Sequence, residues 1–144
     1  MVNPLTFYNA LTESGIDFYA GVPDSLLKPF CLCVAEHTKS KRHIIAANEG
    51  AAIGLASGYH LASGKPALVY MQNSGLGNAI NPLLSLADTS VYGIPMIMMI
   101  GWRGEPGIAD EPQHLVQGGV TMALLDAMGI AHCQLPKETS EAIA

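Results

Sequence analysis

Residues 43–58 read HIIAANEGAAIGLASG, and this stretch decides the fold. Its five opening residues form an apolar run that is typical of a buried strand, and the small residues after Glu49 predict a helix that neighbours can approach closely. Asn48 is the expected N-cap of that helix, because an Asn side chain at this position accepts a hydrogen bond from a first-turn N–H group. The stretch is therefore a strand-to-helix switch with a carboxylic acid at its centre.

Glu49 has two interpretations that the local pattern leaves open. A helix N-terminus favours the ionised form of a carboxyl group by about 0.3–1 kcal/mol, which is less than one pKa unit. Full burial favours the protonated form by up to about 3–5 pKa units, so burial dominates wherever it occurs. A buried Glu49 is expected to share a proton with a heterocyclic nitrogen of a ligand. An exposed Glu49 would only occupy the first turn of a surface helix.

Strand signals and helix signals alternate along the 144 residues, of which 49% are hydrophobic. This alternation predicts an α/β fold, a doubly wound and mainly parallel sheet with helices on both faces, built as one domain from residues 1–144. The predicted strands are residues 17–20, 43–47, 65–71, 94–100 and 131–135.

Polar, glycine-rich loops follow four of the predicted strands. In an open parallel sheet, ligands bind outside the carboxyl ends of the strands, and all these loops belong to that one edge. We therefore expect the binding crevice to be formed by residues 21–25, 48–49, 72–78 and 101–105.

Composition limits the classes of partner. Only 13% of residues are charged, the net charge is -5, and Lys and Arg do not cluster, which argues against nucleic acid and against an anionic membrane surface. The longest strongly apolar stretch, residues 94–100, is much shorter than the roughly 18–20 residues that span a bilayer. We expect a soluble cytoplasmic protein.

Familiar catalytic motifs are absent from the sequence. Gly75-Leu76-Gly77 begins like a dinucleotide-binding fingerprint, but Ile80 stands where the third glycine is needed. Ser57 and Ser74 lack the flanking glycines of a nucleophile elbow. The five histidines lack the spacing of metal ligands, so no metal site is predicted in this chain.

His114 and Arg103 are the other candidates for chemistry. His114 begins a predicted helix after a long loop at the ligand edge, where a positioned imidazole contributes about 10²–10⁴ in rate by proton transfer. The alternative for His114 is a solvated first-turn residue. Arg103 either clamps an anionic group of a substrate through paired N–H donors or is a loop-surface charge.

Four segments together resemble a known family, the pyrimidine-binding domain of thiamine-diphosphate-dependent decarboxylases. They are residues 21–25, the Glu49 junction, residues 72–78 and the segment 103–114, which reads RGEPGIADEPQH. Within the family, the likeness is nearest to enzymes that decarboxylate phosphonopyruvate, and those that decarboxylate sulfopyruvate look similar over much of the rest. The resemblance implies a carboxy-lyase that uses thiamine diphosphate and Mg²⁺ on a 2-oxo acid carrying a phosphonate.

The resemblance also implies roles for single residues. The glutamate that matches Glu49 hydrogen-bonds the aminopyrimidine ring of the cofactor and so promotes loss of the thiazolium proton. Arg103 is our own candidate for the phosphonate. The likeness further places the cofactor near Gln72, Asn73 and Asn78, the substrate near Asp24 and Ser25, and a catalytic histidine at His114.

One departure from the family pattern concerns the second half of the active site. Members bind the diphosphate and its magnesium through another domain, which carries a Gly-Asp-Gly motif with a downstream Asn, and this motif does not occur in the sequence. We expect a homo-oligomer in which that domain is provided in cis or by a separate subunit, and no activity without it. Residues 137–144 read as a helix just beginning, which favours truncation.

Two further interpretations stay open. In the first alternative, the chain is an alpha-type subunit of a sulfopyruvate decarboxylase. In the second, it is a non-catalytic binding or assembly module of the same fold, because a fold does not specify a function. The small residues of the predicted Glu49 helix likewise allow either a close subunit contact or ordinary tight packing. These are Gly50, Gly54, Ser57 and Gly58.

Overall fold

A computed structural model of the chain describes residues 2–144. Its four strands are β1 (Tyr19–Gly21), β2 (His43–Ile45), β3 (Ala67–Gln72) and β4 (Met96–Gly101). Its helices are α1 (Pro4–Glu13), α2 (Lys28–His37), α3 (Glu49–Ser63), α4 (Leu76–Pro82), α5 (Pro112–Ala127) and α6 (Thr139–Ala142). A 3₁₀ turn (Asn73–Gly75) precedes α4, and a π-helical turn (Leu83–Ala87) follows it.

All strand pairs are parallel, in the order β2-β1-β3-β4. Alternate residues of the central strand β3 point to opposite faces of the sheet, so Val69 and Met71 pack in one apolar cluster and Leu68 and Tyr70 in another. The first cluster includes residues of α3, α4 and α5, and the second includes residues of α1 and α2. Helices on both faces of a parallel sheet confirm the predicted doubly wound α/β fold.

The first turn of α3 follows the predicted local chemistry. Asn48 accepts a hydrogen bond from the Ala51 N–H at 2.8 Å, which confirms it as the N-cap. At the other end, Gly64 adopts φ of 71°, a left-handed conformation that glycine takes without steric cost. Capping at both ends fixes Glu49 as the first residue of the helix.

The small residues of α3 have more than one role. A Cβ atom on Gly50 would lie 2.7 Å from the carbonyl oxygen of Asn78, so glycine is required where α3 approaches α4. Gly54 and Gly58 are exposed, and a Cβ atom on either would meet nothing within 4 Å. Tight packing therefore accounts for Gly50, and a subunit contact at the exposed glycines stays a prediction.

The predicted last strand is wrong. Residues 131–135 are exposed and pair with no strand among residues 2–144. A cavity of about 690 Å³ is lined by this segment and by β4, together with side chains such as Met122 and Leu125. A short apolar run favours a strand only where it can pair and pack, and here the segment does not pair with the edge strand β4.

None of the helices formed by residues 2–144 has the combination of length and apolarity that crossing a membrane requires.

The pairing of His43 with Tyr70 predicts a pH-dependent stability. His43 Nε2 lies 2.7 Å from the hydroxyl of Tyr70, a buried side chain whose pKa burial raises to about 12. Burial lowers the pKa of His43, so the folded state binds fewer protons than the unfolded state, whose histidine pKa is about 6.5. The contribution of His43 to stability is complete above about pH 6.5 and declines as the pH falls through its folded-state pKa.

Urea unfolding at about pH 7.5 and about pH 5.5 tests this prediction, since the two values bracket an ordinary histidine pKa. We expect the midpoint of the chain to fall between the two pH values by more than that of the His43→Gln variant. Glutamine still accepts a hydrogen bond from Tyr70 but does not titrate. Equal pH dependence in both proteins would contradict the assignment.

Candidate functional site

The topological switch point of the sheet lies between β1 and β3. From β1 the chain adds β2 on one side and then β3 on the other, so the loops at the carboxyl ends of β1 and β3 diverge there. The predicted site residues follow all four strands at this edge, as the loop positions required. They are Asp24 and Ser25 after β1, Glu49 after β2, Gln72 at the end of β3, residues 73–78 after it, and Arg103 after β4.

Glu49 is buried, with 9% of its surface exposed. Its Oε2 atom accepts a hydrogen bond of 2.7 Å from Asn78 Nδ2. A Cβ atom on Gly75 would lie 2.4 Å from Oε1, so only glycine leaves room for the carboxyl group. Within residues 2–144, Oε1 has no hydrogen-bond partner, and it is not fully buried.

Asn73 connects the turn after β3 to the loop after β4. The side chain is 1% exposed, and Nδ2 donates to the backbone oxygen of Arg103 and to Thr121 Oγ1, both at 2.9 Å. Its Oδ1 accepts from the Arg103 N–H at 3.2 Å. Both amide protons are in use, so Asn73 holds the site together. Gln72 is partly exposed and donates to Ser74 Oγ at 2.7 Å.

Arg103 is surrounded by acceptors, with 19% of its side chain exposed. Nε and Nη2 donate to the two oxygens of Asp110 at 2.9 and 2.5 Å, and Nη1 donates to Ser25 Oγ at 2.9 Å. A guanidinium has five N–H donors. These three bonds leave one N–H on each terminal nitrogen, and two N–H groups of one guanidinium are able to bind two oxygens of an anion.

Asp110 is a site residue that the sequence predictions missed. Its carboxylate accepts five hydrogen bonds, two from Arg103, one from the imidazole of His114 and one each from the N–H groups of Gly104 and Glu111. These bonds, chiefly those from Arg103 and His114, hold the pKa of Asp110 well below its usual range. Asp110 precedes the first residue of α5, so the spacing rule for side chains on one helix gave no signal for this pairing.

His114 lies in the first turn of α5, with 17% of its side chain exposed. Its Nδ1 atom is 3.0 Å from Asp110 Oδ1, so the structure brings His114, Arg103 and Ser25 into one cluster through Asp110. Gly104 makes this possible, because a Cβ atom there would lie 2.1 Å from the backbone oxygen of His114.

Asp24 forms no hydrogen bond to that cluster among residues 2–144. It is 7% exposed, its Oδ2 accepts from the Leu26 N–H at 2.9 Å, and a Cβ atom on Gly101 would lie 2.3 Å from the same oxygen. Its Oδ1 atom is buried without a hydrogen-bond partner within residues 2–144. Helix α2 begins after this turn, at Lys28.

Known proteins match this chain in sequence and in fold. The sequence profile described as "Thiamine pyrophosphate enzyme, N-terminal TPP binding domain" matches residues 6–130. The chain is 37% identical over 141 residues to a phosphonopyruvate decarboxylase from Streptomyces viridochromogenes, covering 98% of this chain and 34% of that protein. It is 37% identical over 137 residues to the sulfopyruvate decarboxylase subunit alpha of Methanocaldococcus jannaschii, covering 94% and 75%.

The chain therefore spans about a third of the length of the first relative and three quarters of the second. Among solved structures, benzoylformate decarboxylase from Polynucleobacter necessarius matches with a TM-score of 0.59 at 22% identity, over 79% of this chain and 21% of that one. At this identity the likeness concerns the fold alone.

Proposed function

Because the chain belongs to the family of N-terminal TPP-binding domains of thiamine pyrophosphate enzymes, we propose that it supplies the pyrimidine-binding half of a decarboxylase active site. The proposed reaction converts phosphonopyruvate to phosphonoacetaldehyde and CO₂. The alternative substrate is sulfopyruvate, since the relatives of each kind are 37% identical to this chain.

The observation that carries the proposal is the environment of Glu49. Burying a carboxyl group at the ligand edge of the sheet costs free energy unless a hydrogen-bonding partner replaces the lost hydration. Asn78 donates to Oε2, and the missing side chain of Gly75 leaves room for the carboxyl group itself. Oε1 has no hydrogen-bond partner within residues 2–144. The ligand that suits the free carboxyl oxygen is a heterocycle whose ring nitrogen shares a proton with it. The pyrimidine ring of thiamine diphosphate has such a nitrogen.

The cofactor, when bound, supplies an electron sink for the pair of electrons left by departing CO₂. In the proposal, Glu49 Oε1 shares a proton with the ring nitrogen, and Asn78 keeps Oε2 in place. Ser25 and the free N–H groups of Arg103 bind the substrate anion, and His114 moves a proton at the reacting carbon. Gln72 lies at the same edge as a cofactor contact, whereas Asn73 and Asp24 act by holding the loops.

The other half of the site is proposed to come from a diphosphate-binding domain, which would hold Mg²⁺ and the diphosphate. That domain is either part of a longer chain, as the length of the phosphonopyruvate decarboxylase relative suggests, or a second subunit, as the name "subunit alpha" of the other relative suggests. A homo-oligomer would place the cofactor between domains of different subunits.

The proposal is tested on the chain assembled with that domain. We expect calorimetric titration with thiamine diphosphate and Mg²⁺ to give saturable heat, and the loaded assembly to release CO₂ from phosphonopyruvate with a higher kcat/KM than from sulfopyruvate. A clear preference for sulfopyruvate would select the alternative substrate. An assembled state that binds no cofactor would instead favour a non-catalytic module.

A further inference from the structure

The contacts of Asp110 have a consequence for the proton positions of His114. Asp110 Oδ1 lies 3.0 Å from His114 Nδ1 and also accepts from Arg103 Nη2 and the Glu111 N–H. An ionised carboxylate has no proton to donate, so the hydrogen bond to the imidazole forms only if Nδ1 carries the proton.

We propose that Asp110 is a positioning residue that fixes His114 in the Nδ1–H tautomer and so keeps its Nε2 atom as the proton-accepting nitrogen. A neutral imidazole carries one proton, and once Asp110 holds it at Nδ1, the lone pair is at Nε2. No hydrogen bond to Nε2 is made by residues 2–144. The role of this nitrogen in catalysis rests on the proposed function, whereas the tautomer rests only on the contact between Asp110 and His114.

The rigidity of Asp110 is what makes it able to select a tautomer. Its two oxygens receive five hydrogen bonds, two from the Arg103 guanidinium, two from the backbone N–H groups of Gly104 and Glu111, and one from His114. Two of the donors are backbone N–H groups, so the carboxylate cannot turn without breaking contacts to the main chain. His114 is held from its other side, since its backbone packs against Gly104. The imidazole therefore meets an acceptor whose position is already determined.

The arrangement predicts different effects for two changes at Asp110. In Asp110→Asn, one oxygen becomes an NH₂ group, which donates hydrogen bonds and accepts none. In either orientation of the amide, one bond from Arg103 and one from a backbone N–H group are lost, and an NH₂ group that faces His114 favours an Nδ1 atom without a proton. In Asp110→Glu, the carboxylate is kept one methylene further out, and selection of the Nδ1–H tautomer is expected to be largely retained.

Long-range ¹H–¹⁵N correlation spectra of the full-length, ¹⁵N-histidine-labelled protein test the tautomer directly. His114 is assigned by loss of its signals in His114→Gln. We expect the neutral wild-type His114 to show a protonated Nδ1 and a bare Nε2, and Asp110→Asn to populate the Nε2–H form. A wild-type His114 in the Nε2–H form would overturn the inference, and this holds even if Asp110→Asn fails to fold. An unchanged tautomer in a folded Asp110→Asn would overturn it as well.

A double-mutant cycle in the assembled enzyme separates action through His114 from a general effect on the loop. We expect Asp110→Asn to lower kcat at least about tenfold more in the wild-type background than in His114→Gln, a coupling within the range for contacting residues. Equal losses in both backgrounds would contradict a role through His114. If neither oxo acid is decarboxylated although the spectra show the expected tautomer, the proposed function fails while the positioning role stands.

Discussion

Glu49→Gln is expected to lower kcat of the assembled decarboxylase by about 10²–10⁴-fold, the contribution of a positioned acid or base. Glutamine has nearly the same shape, and its side-chain oxygen still accepts the hydrogen bond from Asn78 Nδ2. It cannot share a proton with a ring nitrogen, because its amide does not titrate. The change therefore removes the proposed chemistry and leaves the packing beside Gly75 in place.

Steady-state CO₂ release, with thiamine diphosphate and Mg²⁺ at saturation, measures this effect. Glu13→Gln is the matched control, since Glu13 is an exposed residue at the end of α1, and its variant should turn over like the wild type. Circular dichroism should show both variants folded. A Glu49→Gln enzyme that keeps near-normal turnover would exclude the proposed role of the carboxyl group.

The position of Glu49 was predictable because two local signals agree with the global fold. The apolar run before Asn48 favours a strand, Asn48 favours a helix start, and the β-α alternation requires such a junction at the ligand edge. Burial of Glu49 was not predictable in the same way. It depends on Gly75 and Asn78, which are distant in sequence and approach only when β3 and α4 are in place.

Asp110 shows a different limit of sequence reasoning. The segment 105–111 contains several polar residues, and nothing in their order identifies the one that accepts five hydrogen bonds. The loop conformation decides it, since Gly104 and Gly107 adopt φ values of 68° and 85° and turn the chain so that Asp110 faces Arg103. Positive φ at two glycines is compatible with many loop shapes, so the sequence alone does not specify this one.

The failure at residues 131–135 has a related cause. A strand needs a neighbouring strand to pair with as well as a suitable run of side chains. Within residues 2–144, this segment does not pair with the edge strand β4. Helix ends depend on caps and glycines that act locally and need no partner distant in sequence. Asn3, for example, accepts from the Thr6 N–H at 3.0 Å at the start of α1, and Gly15 closes that helix with φ of 91°.

Arg103→Lys is expected to raise KM for the phosphonate or sulfonate substrate by about 10²-fold, because truncating one partner of a desolvated charge pair has effects of this order. Lysine keeps the positive charge but has no planar fork, so it cannot hold Asp110 and Ser25 and still present two N–H groups to the anion. Binding contacts that are equal in the ground state and the transition state change KM rather than kcat. We therefore expect KM to change more than kcat, and kcat to fall only as far as the lost bonds to Asp110 displace His114.

A substrate without the anionic group separates binding from a structural effect. Pyruvate shares the 2-oxo acid but has no phosphonate or sulfonate, so the loss of kcat/KM on pyruvate should be small if Arg103 contacts that group. Arg42→Lys, at a surface arginine paired with Asp17, is the matched control and should leave both substrates unaffected. If Arg103→Lys weakened pyruvate and phosphonopyruvate equally, the three side-chain bonds to Asp110 and Ser25 would be its whole function, and the substrate anion would have to bind elsewhere.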